Sequence, residues 1–241
     1  LIIFMLSRKE NVIHIEKTFR FRPDWTMVKR ILGIGIPNGL ENSMFQLGKI
    51  IVLSLVSTFG TYAIAANAVC NAVANFQVLP GMAINLAVTA VIARCVGAGD
   101  YEQAEYFTKK LIRLVYLCMW GVNLIVLCVM PLVLWAYNLS DITAQTARSV
   151  LYFHSVSACL IWPVSFTVPS ALRAAGDAKV TMVISLASMW IFRIIFSYVL
   201  GGWLGLGVLG VWIAMVIDWC VRAVCMTLRY KAGKWKQIHS I

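Results

Sequence analysis

The feature that most constrains the fold of this chain is a series of long apolar segments separated by short polar joins. Six segments can be read from the sequence, at about 33–58, 63–93, 110–136, 150–172, 179–200 and 205–228. Each is long enough for a helix that crosses a hydrocarbon layer of about 30 Å, which takes about 20 residues. Charged residues make up only 13% of the chain, against about 25% in soluble domains. We therefore predict an all-α, polytopic membrane protein with six transmembrane helices.

The joins carry most of the positive charge, and this predicts the orientation. Eighteen Lys and Arg residues fall in residues 7–30, around the joins after the second and fourth segments, and at the C-terminal end, whereas only Arg148 falls on the other side. Positively charged connections remain in the cytoplasm. We predict a multi-pass protein of the cell membrane with a cytoplasmic C-terminus. Its net charge of +11 then reflects topology, and we expect the lipid bilayer and no nucleic acid as a partner.

The joins also suggest three regions. Residues 1–30 are predicted to be the end of a preceding helix and a basic cytoplasmic connection, residues 31–229 a six-helix transmembrane lobe, and residues 230–241 a basic cytoplasmic tail. The chain opens without Met on "LIIFML", which is similar to the tail of an apolar helix. We therefore expect a fragment that lacks its N-terminal part.

No motif in the sequence predicts an enzyme. There is no GxSxG, no phosphate-binding loop and no HExxH, the patterns that position nucleophiles, phosphates or zinc. The seven cysteines form no CxxC pair and are predicted to be packing residues. We expect no catalytic residues, no metal ligands and no cofactor.

The first segment contains a polar stripe that an ordinary membrane helix would lack. At 100° per residue the stripe falls on one helix face; its members are Asn38, Glu41, Asn42, Phe45 and Lys49. Lys49 has a stem long enough to reach the outer interface. Glu41 lies about 12 Å from the inner edge and is too short to reach out. A deep carboxylate is costly without a partner or a watery cavity, so Glu41 is either a functional residue in a water-filled lumen or a structural hydrogen-bond acceptor.

Polar residues in later segments extend this pattern. Asn67, Asn71 and Asn75 recur every fourth residue and form either interhelical hydrogen bonds or a second cavity wall. Arg193 lies near the middle of its segment and either links two helices through carbonyls or faces a cavity. Asp218 and Arg222 are predicted to form an i,i+4 ion pair. The polar residues within these apolar segments indicate a path for a solute through the membrane. We therefore predict a transporter.

Several stretches resemble the MATE (multidrug and toxic compound extrusion) family of cation-coupled antiporters. "GIPNGLENSMFQLGKI" is similar to the seventh helix of that family, and "AIAANAVCNAVANFQVLPGMAINLAVTAVIARCVGAGDYEQAE" to the eighth helix and its loop. "ALRAAGDAKVTMVISLASMWIFRI" resembles the tenth-to-eleventh connection, with Ala174 where the family usually has Gly. "VIDWCVRAVCMTLRYKAGKW" resembles the last helix and basic tail.

The resemblance implies helices seven to twelve of a twelve-helix transporter, one of two six-helix lobes. It further implies export of an organic, cationic substrate by alternating access, driven by Na⁺ or H⁺, with Glu41 as the cation-coupling residue. The expected partners are the substrate and the missing N-terminal lobe. Two alternatives remain: a flippase of lipid-linked saccharides from the same superfamily, and a membrane scaffold that transports nothing.

Overall fold

A computed structural model describes residues 24–237, and within this range the chain is helical with no strand. The helices are α1 (Trp25–Ser57), α2 (Thr61–Gly97), α3 (Tyr101–Ala136), α4 (Asp141–Leu160), α5 (Trp162–Ala174), α6 (Ala178–Ala187) and α7 (Gly207–Lys231). Two π-helical segments, Ser188–Ile195 and Ser197–Trp203, continue α6, and a short 3₁₀-helix, Lys234–Gln237, follows α7. The predicted all-α fold is confirmed.

Length and hydropathy support a protein that spans the membrane several times. Four helical segments of the described residues are long and apolar enough to cross a bilayer: α2, α3, α6 with its π-helical continuation, and α7. A fifth arises if α4 and α5 are taken together as one bent span. Helix α1 has 33 residues, but its polar stripe lowers its mean hydropathy, so it is not among the four.

The chain divides into two compact units, with the boundary at Gly35 inside α1. In the described part of the first unit, the Asp24 carboxylate accepts hydrogen bonds from the backbone N–H groups of Thr26 at 2.9 Å and Met27 at 3.3 Å. Asp24 thereby caps the N-terminus of α1, where backbone donors have no partner within the helix. The second unit, residues 36–241, contains all the sites described below.

Two similar turns in the second unit use their aspartates differently. In "GAGD", Gly99 has φ +75°, a conformation that favours glycine, and Asp100 accepts a hydrogen bond from the Gln103 N–H at 2.9 Å. Asp100 thereby caps the N-terminus of α3. In "AAGD", Asp177 makes no such cap and instead accepts a hydrogen bond from Arg229 Nε at 2.7 Å. The second turn therefore ties α7 to the start of α6.

The chain bends sharply at Trp162-Pro163. Helices α4 and α5 meet there at a 48° bend, because a proline ring cannot fit into a continuing helix. The Trp162 ring stacks on Phe166 at 4.9 Å and lies against Gly81, where an added Cβ would fall 2.2 Å from it. Pro80, by contrast, lies inside the uninterrupted helix α2.

The buried apolar residues of the described part of the chain form two clusters. The larger one contains residues of α1, α2, α3, α4, α5 and α7, and the smaller one surrounds Ile92, Leu172, Met226 and Trp235. Close packing at Gly210 holds α7 against the second π-helical segment, because a Cβ there would lie 2.6 Å from the backbone carbon of Leu200. Small residues allow such approaches in membrane helices.

Candidate functional site: a polar cavity and two ion pairs

A cavity of about 240 Å³ opens on the surface of the lobe between α1, α2, α7 and the first π-helical segment. Its lining residues are Lys49, Val52, Leu53, Asn67, Asn71, Asn75, Arg193, Val211, Trp212 and Met215. Four of the predicted site residues therefore lie together: the three asparagines and Arg193. Helical spacing places the asparagines on one face of α2.

Two of the three asparagines, Asn67 and Asn71, take part in hydrogen bonds on this wall. Asn71 donates from Nδ2 to the Asn67 carbonyl at 2.8 Å. The side-chain oxygen of Asn67 accepts a hydrogen bond from Trp212 Nε1 at 3.0 Å, so it links α2 to α7 while it lines the cavity. Asn71 and Asn75 remain exposed. Both readings of this ladder, interhelical bond and cavity wall, therefore apply to Asn67.

Two basic side chains meet on this wall. Lys49 comes from α1 and is exposed, and Arg193 comes from the π-helical segment Ser188–Ile195 and is half-buried. A π-helix widens the turn and frequently occurs at functional positions. The Nε of Arg193 is buried without a hydrogen-bond partner in the described structure. The Lys49 side chain lines the cavity, and its expected reach to the outer interface stays a prediction.

Glu41 lies apart from the cavity, in an ion pair with Arg173 of α5. Arg173 Nη1 donates to the two carboxylate oxygens of Glu41 at 3.1 and 3.3 Å. The Glu41 side chain is 10% exposed and that of Arg173 28% exposed, so the pair is largely but not completely buried. Sequence reasoning left Glu41 without a partner because Arg173 is distant in sequence and was assigned to a connection.

The other stripe residues do not share one lumen. Phe45 faces Arg222, whose guanidinium carbon lies 4.9 Å from the Phe45 ring centre and 5.2 Å from that of Phe166. Such placement stabilises a cation through the ring electrons. Asn42 is exposed and is not among the lining residues of the cavity. Asn38 is a predicted site residue whose side chain lies outside the described structure.

The ion pair between Asp218 and Arg222 is confirmed, at 3.2 Å. Asp218 is completely buried and also accepts a hydrogen bond from the Ser188 hydroxyl. The Ser188 hydroxyl lies in addition 3.1 Å from the Asp218 carbonyl. This carboxylate is therefore shared between α7 and the start of the π-helix that carries Arg193, and it holds that segment in place.

A buried polar network behind the cavity was missed by sequence reasoning. His154 Nδ1 is 2.7 Å from Gln77 Oε1, and Gln77 Nε2 donates to Ser155 Oγ at 2.6 Å. The His154 ring packs edge-on against Trp212 at 5.1 Å, so the network supports the cavity wall. His154 is buried in the core. The signal available in the sequence was Gln77 itself. It lies two residues beyond Asn75 and therefore on the opposite side of α2, where a polar side chain needs a partner within the lobe.

Comparison with protein families identifies the class. The MatE family model matches residues 37–199, more than half of the chain, and the chain therefore belongs to the MatE family.

Curated relatives agree with this assignment. The chain is 26% identical over 220 residues to a probable multidrug resistance protein NorM of Thermotoga maritima, which covers 89% of this chain and 46% of the relative. It is 27% identical to a probable NorM of Neisseria meningitidis serogroup B, covering 94% and 50%. The chain thus spans about half the length of the curated relatives it matches.

Solved structures share the fold. An outward-facing multidrug resistance MATE family transporter of the MOP superfamily superposes with a TM-score of 0.85 at 20% identity, covering 98% of this chain and 53% of that one. An inward-facing structure superposes with a TM-score of 0.78 at 20% identity, covering 99% and 56%. The resemblance to one lobe of a MATE-type fold, expected from the sequence motifs, is confirmed by these matches.

Proposed function

We propose that this chain forms one lobe of an exporter that moves a small organic molecule across the cell membrane by alternating access, coupled to Na⁺ or H⁺. The observation that carries the proposal is the polar cavity on a lobe whose surface is otherwise largely apolar. Amide, indole and basic groups converge there on a volume that suits a small solute. Polar and ionisable residues at membrane depth are costly and therefore favour a transport function.

The second lobe is the expected partner within the same transporter. The relatives that this chain matches are about twice its length, and the cavity opens at the lobe surface. In transporters built from repeats, substrates bind between the repeats, which move against each other. We expect the second lobe to close the cavity, with the C-terminal end of this lobe in the cytoplasm.

Glu41 is the proposed coupling residue, and its ion pair suggests how coupling works. Arg173 holds the carboxylate at 3.1 Å but leaves part of the pair open to water. A proton or Na⁺ that binds Glu41 must compete with Arg173, so binding would release α5 from α1. A ligand that favours one arrangement of a two-state element shifts the equilibrium between the states, and the coupling is reciprocal.

The substitution Glu41→Gln tests this role in the full-length protein that contains these residues. We expect it to abolish ion-driven efflux of a fluorescent substrate from everted vesicles, while exchange of substrate at equal concentrations on both sides persists. Glu102→Gln removes an exposed carboxylate and serves as the matched control. Arg173→Met retains the carboxylate but removes the group that the ion would displace, so it should also weaken the dependence of efflux on the ion gradient. Efflux of Glu41→Gln that still follows the gradient would exclude the coupling role.

A further inference from the structure

We propose that the cavity selects an organic anion, a carboxylate or other oxyanion attached to an apolar body. This inference rests on the proposed function and concerns the substrate class of the same site. The resemblance to antiporters predicted a cationic substrate, which is a poor electrostatic match for the wall that this lobe contributes.

The first observation is where the deep positive charges lie. The chain has 21 Lys and Arg residues, and the sequence assigns all but Lys49 and Arg193 to the joins or to the ends of spans. These two come from segments far apart in sequence, yet both line the same cavity. They also lie close enough for Arg193 to repel the positive charge of Lys49. Folding therefore gathers two costly charges at one place.

The second observation is that these charges have no carboxylate partner in the described residues. No described lining residue is Asp or Glu. Asp218, the carboxylate that interacts with Arg193 from behind the wall, is completely buried and already bound by Arg222 and Ser188. Glu41 is bound by Arg173. An anion that enters the cavity would meet two positive side chains that form no ion pair in the described structure, and a cation would be repelled by them.

The third observation is the chemistry of the remaining surface. The guanidinium of Arg193 has planar donors that match the geometry of a carboxylate or phosphate, and its buried Nε lacks a partner in the described structure. The exposed amides of Asn71 and Asn75 add further donors along the same wall. Val52, Leu53, Trp212 and Met215 provide the apolar part of the lining. This combination fits an amphipathic anion.

The test uses two dyes with similar ring systems and opposite charge. The full-length protein is purified in detergent, and binding of carboxyfluorescein, an anion, and of a rhodamine cation is measured by fluorescence anisotropy. We expect carboxyfluorescein to bind and the double variant Lys49→Gln, Arg193→Gln to bind it about tenfold more weakly or worse, since charge-assisted contacts are the strong ones. The control Arg148→Gln, Lys179→Gln removes the same net charge at exposed positions outside the cavity and should bind as the unmodified protein does.

Single variants keep the test decisive if the double variant does not fold. Lys49 is exposed, so Lys49→Gln should fold and weaken carboxyfluorescein binding, and Lys49→Glu should shift the preference toward the rhodamine. Failure of carboxyfluorescein to bind, or equal binding by the cavity variants and the control, would overturn the inference. Binding of the rhodamine alone would do the same.

Transport distinguishes this inference from the proposed function. In proteoliposomes, binding of carboxyfluorescein without any transport would contradict export while it leaves the anion site intact. Export of the rhodamine, unaffected by Lys49→Gln, would support export and overturn the anion site. Movement of a fluorescent phosphatidylglycerol without binding of carboxyfluorescein would assign the wall to a lipid head group and also overturn the inference.

Discussion

In the described part of this lobe, basic residues form ion pairs in one region and form none in another. Near the end that carries the C-terminus, Arg229 bonds to Asp177 at 2.7 Å and Lys236 pairs with Glu105 at 2.5 Å. Arg222, deeper in the lobe, pairs with Asp218. On the cavity wall, Lys49 and Arg193 have no such carboxylate among the described residues.

The difference separates charges that serve the fold from charges left for a ligand. A buried ion pair contributes little relative to apolar packing, but the loss of one partner leaves an uncompensated charge. The loss of a paired base should therefore destabilise the lobe, because its carboxylate partner would remain uncompensated. The cavity bases form no ion pair among the described residues, so their loss should change ligand binding and affect stability less than the loss of a paired charge. Stability measurements on variants of both regions can test this distinction.

The largest effect is expected for Asp218→Asn. The substitution leaves Arg222 buried without its carboxylate, and we expect the free energy of unfolding to fall by about 3–5 kcal/mol. Unfolding of the full-length protein in detergent micelles, followed by circular dichroism, measures it. The paired substitution Asp218→Leu with Arg222→Met removes both charges and should recover most of the loss. A fall of equal size in the paired variant would show that the ion pair is not the cause.

A smaller effect is expected for Asp177→Asn. Asp177 is buried, but Arg229 is partly exposed and can turn to water, so we expect a loss of about 1–3 kcal/mol for the charged hydrogen bonds. The same unfolding measurement applies. Asp141→Asn, at an exposed position in the first turn of α4, is the control and should cost less, because a charge near a helix terminus contributes about 0.3–1 kcal/mol. Equal losses in both variants would remove the distinction between the two carboxylates.

The smallest effect, and one of opposite sign, is expected for Lys49→Gln. Removal of an unpaired charge that repels Arg193 should raise the free energy of unfolding by about 0.5 kcal/mol, a size typical of substitutions outside packed or paired sites. Arg148→Gln, exposed and outside the cavity, should leave stability unchanged. A loss above about 2 kcal/mol for Lys49→Gln would mark a structural role and erase the contrast between the two regions.

Patterns confined to one segment were predictable from the sequence. The cap at Asp100, the kink at Trp162-Pro163 and the pair of Asp218 with Arg222 each involve residues within four positions of one another. The asparagine ladder could also be read, because residues spaced by four share a helix face. The π-helical segment that carries Arg193 has no comparable signal in the sequence, since it depends on contacts such as Ser188 with Asp218.

The sequence by itself determined that this chain is helical, that it crosses a membrane several times and which helix faces are polar, because these properties follow from apolar length and helical periodicity. Only the tertiary structure decided which charges meet. Arg173 reaches Glu41, Arg222 lies between Phe45 and Phe166, and Lys49 joins Arg193 because separate helices pack side by side. The physical reason is that the energy of a charge in an apolar lobe depends on its nearest partners, and those partners are distant along the chain.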